Sequence, residues 1–316
     1  MTLLPDIETY ITLRRALGAD FTTAAKILRS FGRALGDVPL GSILAEQCDA
    51  FCRGSAPRVR FRTENCSTLH GFFQYLVGRG FLPSSPLPGA PPRIASDFQP
   101  HIYAPEELRR LLDATAGVCS ARGRLQPATF RTLLLLLYGT GLRVGEAIRL
   151  RECDVDLRDR VLSVWDTKFF KSRLVPLGAT LCAALADYRS SRRRLALPDG
   201  NSSTFFAFRS GTALSYSAVR AAFARLRERA GVRRPSSDRW RPRLHDLRAT
   251  FAVHRLIGWY REGADVQARL PLLATYLGHA SVAGTQLYLT MTPALLKEAS
   301  LRFERYASVR KEVDDA

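Results

Sequence analysis

Six of the chain's 17 prolines fall within residues 83–100, and no other stretch limits the possible folds so strongly. Proline has no N–H to give to a helix or a sheet, and it disfavours helix in the residue before it. No regular element can therefore run through Pro83-Ser84-Ser85-Pro86-Leu87-Pro88-Gly89-Ala90-Pro91-Pro92. The stretch is also too long for an ordinary surface turn. It reads as an extended linker. The expected layout is a domain over 1–82, a linker over 83–102 and a second domain over 103–316. The 316 residues are enough for two separate cores.

The first domain reads as helical. Ile7, Tyr10, Ile11, Leu13 and Leu17 recur at helical spacing, as do Ala24, Ile27, Leu28, Phe31 and Leu35, then Leu69, Phe72, Phe73, Leu76 and Val77. Gly36, Gly41, Gly54 and Pro57 punctuate a bundle of four or five helices. Arg58, Arg60 and Arg62 alternate before its last helix, and fit a phosphate-contacting strip and a solvated basic turn equally well. The second domain opens on Ala104-Pro105-Glu106-Glu107, with proline and acids where a first helical turn favours them. An apolar helix over 129–138 and helices over 179–195 and 215–230 follow. Val161 to Trp165 and Leu174 to Leu177 are β-like runs around a hairpin turn, and Thr204-Phe205-Phe206 offers a third strand. The fold class expected is mainly α with a small antiparallel β-sheet.

Charge narrows the function. Against 29 Asp and Glu stand 47 Lys and Arg, a net +18, which favours a polyanionic partner, nucleic acid before membrane surface. No apolar run approaches the roughly 20 residues that span a bilayer. The first residues have no signal-peptide pattern, so no leader is expected. The cysteines, Cys48, Cys52, Cys66, Cys119, Cys153 and Cys182, form no C-x-x-C and no metal-ligand spacing with histidine. Reduced thiols in a cytoplasmic protein are the expectation.

Three segments carry chemistry: Thr140-Gly141-Leu142-Arg143-Val144-Gly145-Glu146, Leu244-His245-Asp246-Leu247-Arg248, and Leu277-Gly278-His279 with Tyr288 nine positions further on. The spacing of His245 and Arg248, and of Arg143 and Glu146, puts each pair on one helical face. Two guanidinium forks suit the non-bridging oxygens of a phosphate and the charge that develops in its pentacoordinate transition state. A tyrosine hydroxyl, with a pKa of about 10, needs a base or cationic surroundings to attack at neutral pH. No carboxylate cluster stands near these residues to hold a magnesium ion, which favours a protein nucleophile and neither metal nor cofactor.

Taken with Lys168-x-x-Lys171-x-Arg173-Leu174-Val175-Pro176-Leu177, the segments resemble the tyrosine recombinase (phage integrase) superfamily from about residue 100 to 307. Each motif is weak alone, but all five, with Leu277-Gly278-His279 and Tyr288 counted separately, occur in the family's order and spacing. The resemblance implies an integrase-type catalytic domain after a helical core-binding domain, with double-stranded DNA as substrate. It implies that Tyr288 attacks a DNA phosphate to give a 3′-phosphotyrosyl link and a free 5′-hydroxyl. Arg143 and Arg248 would clamp the phosphate, and His245 and His279 would hydrogen-bond it, His245 also being a candidate proton acceptor. Lys168 would protonate the leaving oxygen, and Glu146 would support the pocket. Phe169 and Phe170 replace the Gly and polar residue that many relatives carry in the hairpin. That leaves Lys168 and Lys171 both open as the acid, with the spacing back from Arg173 favouring Lys168.

The rival readings are a resident Xer-like resolvase, a type IB topoisomerase or telomere resolvase, and a silent DNA-binding relative. Tyr288-Leu289-Thr290-Met291-Thr292-Pro293 and the insert Trp259–Arg269 resemble transposase-type integrases of bacterial mobile elements, serving integration, excision or transposition. Thr292 and Pro293 are suited to start a last helix with Leu295, Leu296, Ala299, Phe303, Tyr306 and Ala307 as its apolar stripe. That stripe packs either on its own domain or, as the resemblance implies, on a neighbour in a ring of four protomers on DNA.

Overall fold

The computed structural model of the protein describes residues 1–54, 59–87, 98–119, 123–165, 172–193, 200, 202–234, 240–279, 281–290 and 295–301. These divide into two compact units, one up to residue 87 and the other from Phe98 onward.

The first unit has four α-helices among its described residues: α1 (Leu3–Ala16), α2 (Thr22–Leu35), α3 (Ala45–Arg53) and α4 (Val59–Gly78). Most of the apolar positions read from the spacing line its core, but Leu17 is 58% exposed and Leu13, Ala24, Leu35 and Val77 are only partly buried. Leu3, Ile7, Leu28, Phe31, Leu69, Phe72, Phe73 and Leu76 are all at 0–1% exposure. Full burial of such a side chain contributes about 1.5–3 kcal/mol. Arg58 and Arg60 lie outside the residues whose side chains are described, and Arg62 is exposed.

The second unit is built around α7 (Pro127–Thr140), after α5 (Pro105–Asp113) and the short α6 (Thr115–Val118). Proline at the first position of α7 forfeits an N–H that would have had no partner. Phe130, Leu133, Leu134, Leu136 and Leu137 are buried on several sides of it, as in an interior helix. The helix stops at Gly141, whose φ of +63° is left-handed and suits glycine. Then come α8 (Val144–Arg149) and an antiparallel sheet in the order β1 (Val155–Asp156), β2 (Val161–Val164), β3 (Arg173–Pro176). The register pairs Val161 with Pro176 and Val164 with Arg173. Leu162, Val164 and Val175 face the core. α9 (Ala179–Arg193) and α10 (Tyr216–Arg229) complete this layer. α11 (Asp246–Arg261) and α12 (Val266–Leu277) then build a second apolar cluster, and the short α13 (Ala283–Gln286) follows.

Three details differ from the pattern reading. Thr204 makes only an isolated bridge to Arg151, so the third strand is Val155–Asp156, not Thr204–Phe206. Phe205 and Phe206 are instead spent on packing, stacked around Tyr188. Trp259–Arg269 adds no element: it is the end of α11, a turn, and the start of α12. Residues 295–301 are helical, as the cap signal predicts, but Leu296 on the expected stripe is 51% exposed. Leu295 is buried against the cluster that contains Phe251 and Leu273, and Arg261 pairs with Glu298 at 2.8 Å, so this turn packs on its own chain. Phe303, Tyr306 and Ala307 lie outside the described residues. No described helix is long and apolar enough to cross a membrane.

Candidate active site

The two pairs expected on helix faces turn out to be helix-start pairs. Arg143 is the N-cap of α8, extended at φ −67° and ψ 144°, and Glu146 is the third residue of that helix. The Glu146 carboxylate accepts a hydrogen bond from the Arg143 backbone N at 3.0 Å and another from its Nη1 at 2.7 Å. The acid thus satisfies a free N–H of the first turn and orients the guanidinium together. His245 is likewise the N-cap of α11. Beside it, buried Asp246 accepts from the Arg243 backbone N at 2.9 Å and from its Nη2 at 2.9 Å. Thr250 Oγ donates to the Asp246 carbonyl at 2.9 Å and accepts from the Tyr103 N–H at 3.0 Å, which fixes the start of α11 from a second side.

Arg248 is 3% exposed. Its Nη1 donates to the Gly141 carbonyl and its Nη2 to the Leu277 carbonyl, both at 2.7 Å. These carbonyls terminate α7 and α12, where helical partners run out. One guanidinium therefore ties together the three segments picked out in the sequence. Close packing at Gly141 sets the distance: a Cβ there would lie 2.6 Å from Phe251 Cδ1 and 2.8 Å from Leu277 Cδ2.

Arg143 reaches the same junction, with Nη2 donating to the Gly278 carbonyl at 3.0 Å. Gly278 caps α12 at φ +70°, and His279 follows it. The His279 Nδ1 is 2.7 Å from Thr285 Oγ1, which orients the ring, and the Tyr288 ring centroid is 6.0 Å from that of His279. Arg143, Glu146, His245, Arg248, His279 and Tyr288 thus converge. Lys168 and Lys171 lie outside the described residues, although the antiparallel pairing of β2 with β3 matches the hairpin expected to carry them.

Electrostatics follow from this crowding. Burial of the ring and then Arg248 hold the His245 imidazole below its ordinary value, although the residue as a whole is exposed. Burial, Arg248, Arg143 and Arg173 push His279 down to about 4. Both rings are thus neutral at pH 7 and can accept a proton or a hydrogen bond. Burial and then Arg143 lower Arg248 to about 10, still cationic at neutral pH. Burial opposes ionisation of Glu146, but hydrogen bonds and charge from Arg173 and Arg143 win and hold it at about 2.

Arg173 is the residue whose role the sequence reading missed. It stood in the quoted motif without a task. Its Nη2 and Nη1 donate to the two Glu146 oxygens at 2.8 and 3.3 Å, and its Nε donates to the Tyr276 carbonyl at 2.9 Å. A Cβ on Gly278 would lie 2.8 Å from Arg173 Nη1, so glycine is needed there for space as well as for backbone shape. One carboxylate shared by two guanidiniums leaves the trio at +1. Without Arg173, Glu146 would neutralise Arg143. The signal was available in principle: a buried acid needs a cation for each side of its carboxylate. Tyr276, the tyrosine whose carbonyl Arg173 holds, is engaged elsewhere. It stacks on Phe251, donates its hydroxyl to the Pro176 carbonyl at 3.3 Å, and is pushed by burial to about 12. Tyr306 lies outside the described residues.

The sequence matches the Phage integrase family over residues 102–294. It is 36% identical over 302 residues to integrase/recombinase y4rB of Sinorhizobium fredii, a provisional name, covering 95% of this chain and 96% of the other. It is 30% identical over 250 residues to the tyrosine recombinase XerD of Bifidobacterium longum, covering 77% and 75%. Among solved structures, the Tn1549 transposon integrase in complex with transposon right-end DNA is similar at a TM-score of 0.68 and 17% identity, over 97% of this chain and 100% of that one. A lambda integrase tetramer bound to a Holliday junction is similar at a TM-score of 0.63 and 19% identity, over 91% and 77%.

Proposed function

The chain belongs to the phage integrase family, and from that premise we propose that it is a site-specific DNA recombinase using Tyr288 as nucleophile. The observation that carries the assignment is the joint hold on Arg248 by the ends of α7 and α12, beside Arg143, His279 and Tyr288. In this reading the Tyr288 hydroxyl attacks the scissile phosphorus and the 5′-oxygen leaves, so one phosphodiester is exchanged for another. Arg143 and Arg248 meet the charge on the non-bridging oxygens. Neutral His245 accepts the tyrosine proton, and His279 donates to the phosphate while Thr285 holds its ring. Lys168, with Lys171 as the alternative, protonates the leaving oxygen. The hydroxyl of a partner strand then reverses the step. No external energy is needed, because the bond is conserved in the phosphotyrosine.

The substrate is double-stranded DNA and the working assembly a tetramer, as in the lambda integrase structure. The net charge of +18 supports binding to phosphates. We assign residues 1–82 to core-site binding, 83–102 to the linker and 103–316 to catalysis, acting in the cytoplasm on a mobile element's DNA. The likeness to a transposon integrase supports that role. The test is a nicked suicide substrate carrying the element's own end sequence. Wild type is expected to form a covalent complex, and Tyr288→Phe none. A covalent complex in Tyr288→Phe would remove the assignment.

A further inference from the structure

A cleft of about 440 Å³ opens beside Glu146, with Arg149, Arg151, Ser163 and Trp165 on its walls. Trp165 ends β2 with 59% of its surface exposed. An indole this open usually keeps rotamer freedom, but this one is pinned. Its Nε1 donates to Asp154 Oδ1 at 2.8 Å, and Asp154, itself 7% exposed, also accepts from the Arg151 backbone N at 2.8 Å. The buried carboxylate thus holds the ring by its edge and leaves a face to solvent. Arg149 and Arg151 are both exposed, and neither guanidinium has an ion pair or hydrogen bond among the described residues. Two free cations beside a fixed aromatic face form a receptor for alternating phosphates and flat rings.

We propose that this cleft is a second DNA subsite, in which Trp165 packs on a base or deoxyribose of the substrate strand and Arg149 and Arg151 take flanking phosphates. The proposal rests on the recombinase reading and extends it. Glu146 lines the cleft and also holds Arg143, so the subsite adjoins the residues assigned to the scissile phosphate. An acidic peptide would use the arginines but leave the indole face without a partner. A lipid surface would favour a wider apolar patch than one ring. DNA uses both features.

The experiment isolates Trp165 by replacing the other two tryptophans in the full chain, Trp240→Phe and Trp259→Phe. The probe is a duplex of roughly 30 base pairs and arbitrary sequence, since the backbone and stacking terms do not depend on a specific site. Saturating DNA is expected to quench or shift the Trp165 emission. In the wild-type background, Trp165→Ala is expected to weaken binding about tenfold, in the range of one lost stack. The salt slope is expected to stay unchanged, because the stack carries no charge. The double variant Arg149→Gln, Arg151→Gln is expected to lower that slope by about 1.8, two phosphates at 0.9 each. Trp165→Phe retains a ring and is expected to bind near wild type. Unchanged emission at saturation, or Trp165→Ala binding within twofold of wild type, overturns the subsite. Should Trp165→Ala fail to fold, the emission arm and the arginine variant still decide. Covalent trapping on the nicked substrate separates the two readings: if trapping persists while the subsite tests fail, only the subsite falls.

Discussion

The surroundings of Arg248 and of Arg143 place two guanidiniums at one junction by opposite means. Arg248 is buried and held by two backbone carbonyls, with no carboxylate bound to it among the described residues. Arg143 keeps 39% of its side chain exposed and is held chiefly by the Glu146 carboxylate, whose other side is taken by Arg173. A carbonyl grip constrains position but leaves the full positive charge. A carboxylate grip would remove that charge unless a second cation shared it. The contrast teaches that one arginine is set by where helices end and the other by charge balance. The two should therefore fail differently.

The largest expected effect compares the arginines directly. Arg248→Met and Arg143→Met are each expected to slow strand cleavage about 10²–10³-fold, as for a lost oxyanion donor. Their stabilities should diverge. Arg248→Met leaves two buried carbonyls without partners, at about 1–3 kcal/mol each. Arg143→Met frees a single carbonyl, that of Gly278, and leaves Glu146 still paired with Arg173. Thermal unfolding of both variants checks this, and equal losses of stability would break the comparison.

Next is the carboxylate. Glu146 is 5% exposed and held at about 2 in the fold, against an ordinary value of 4.5. Its ionisation therefore stabilises the fold above pH 4.5, and that stability is lost as pH falls toward 2, on the order of 3 kcal/mol at 1.36 kcal/mol per pKa unit. Urea titrations of Glu146→Gln should lie below wild type at neutral pH and show the gap closing across that window. A constant gap would mean that charge is not what holds Arg143.

Smaller effects come from the two cap glycines. Alanine at Gly141 or Gly278 must adopt the left-handed backbone, at about 1–2 kcal/mol. At Gly141 it also presses Phe251 and Leu277 beneath Arg248, and at Gly278 it presses Arg173 on the Arg143 side. Both variants should melt several degrees lower. Only Gly278→Ala should raise the pKa of His279, by moving Arg173 away, and NMR titration of the imidazole reads this directly. The smallest effect is in wild type itself. His279, at about 4, should not titrate between pH 5 and 8. Its depressed value makes the fold lose stability as pH falls from 6.5 toward 4, since the unfolded ring protonates first. An imidazole signal moving near pH 6.5 would contradict the three-arginine surround.

Local chemistry was legible in the sequence where it repeats or punctuates. The buried faces of α1, α2 and α4, the apolar α7 and the glycine stop at 278 follow from spacing and backbone preference, whereas α7 runs two residues past the expected 138, to Thr140. His245 and Arg143 were assigned to the right segments but to helix faces, because spacing of three does not distinguish a helix interior from a cap. Thr204–Phe206 has strand composition, yet β2 already had its neighbours in β1 and β3, so the phenylalanines went to the Tyr188 stack.

By itself, then, the sequence determined most of the helical segments, since these depend on periods of three to four residues, and through its family resemblance it named six candidate side chains. Only the tertiary structure decided what holds those side chains. Arg248 and the Gly141 carbonyl are 107 positions apart, Arg143 and the Gly278 carbonyl 135, and Arg173 and Glu146 27. A buried charge takes whichever partner packing brings within about 3 Å. That choice is made by the whole core and leaves no periodic trace along the chain.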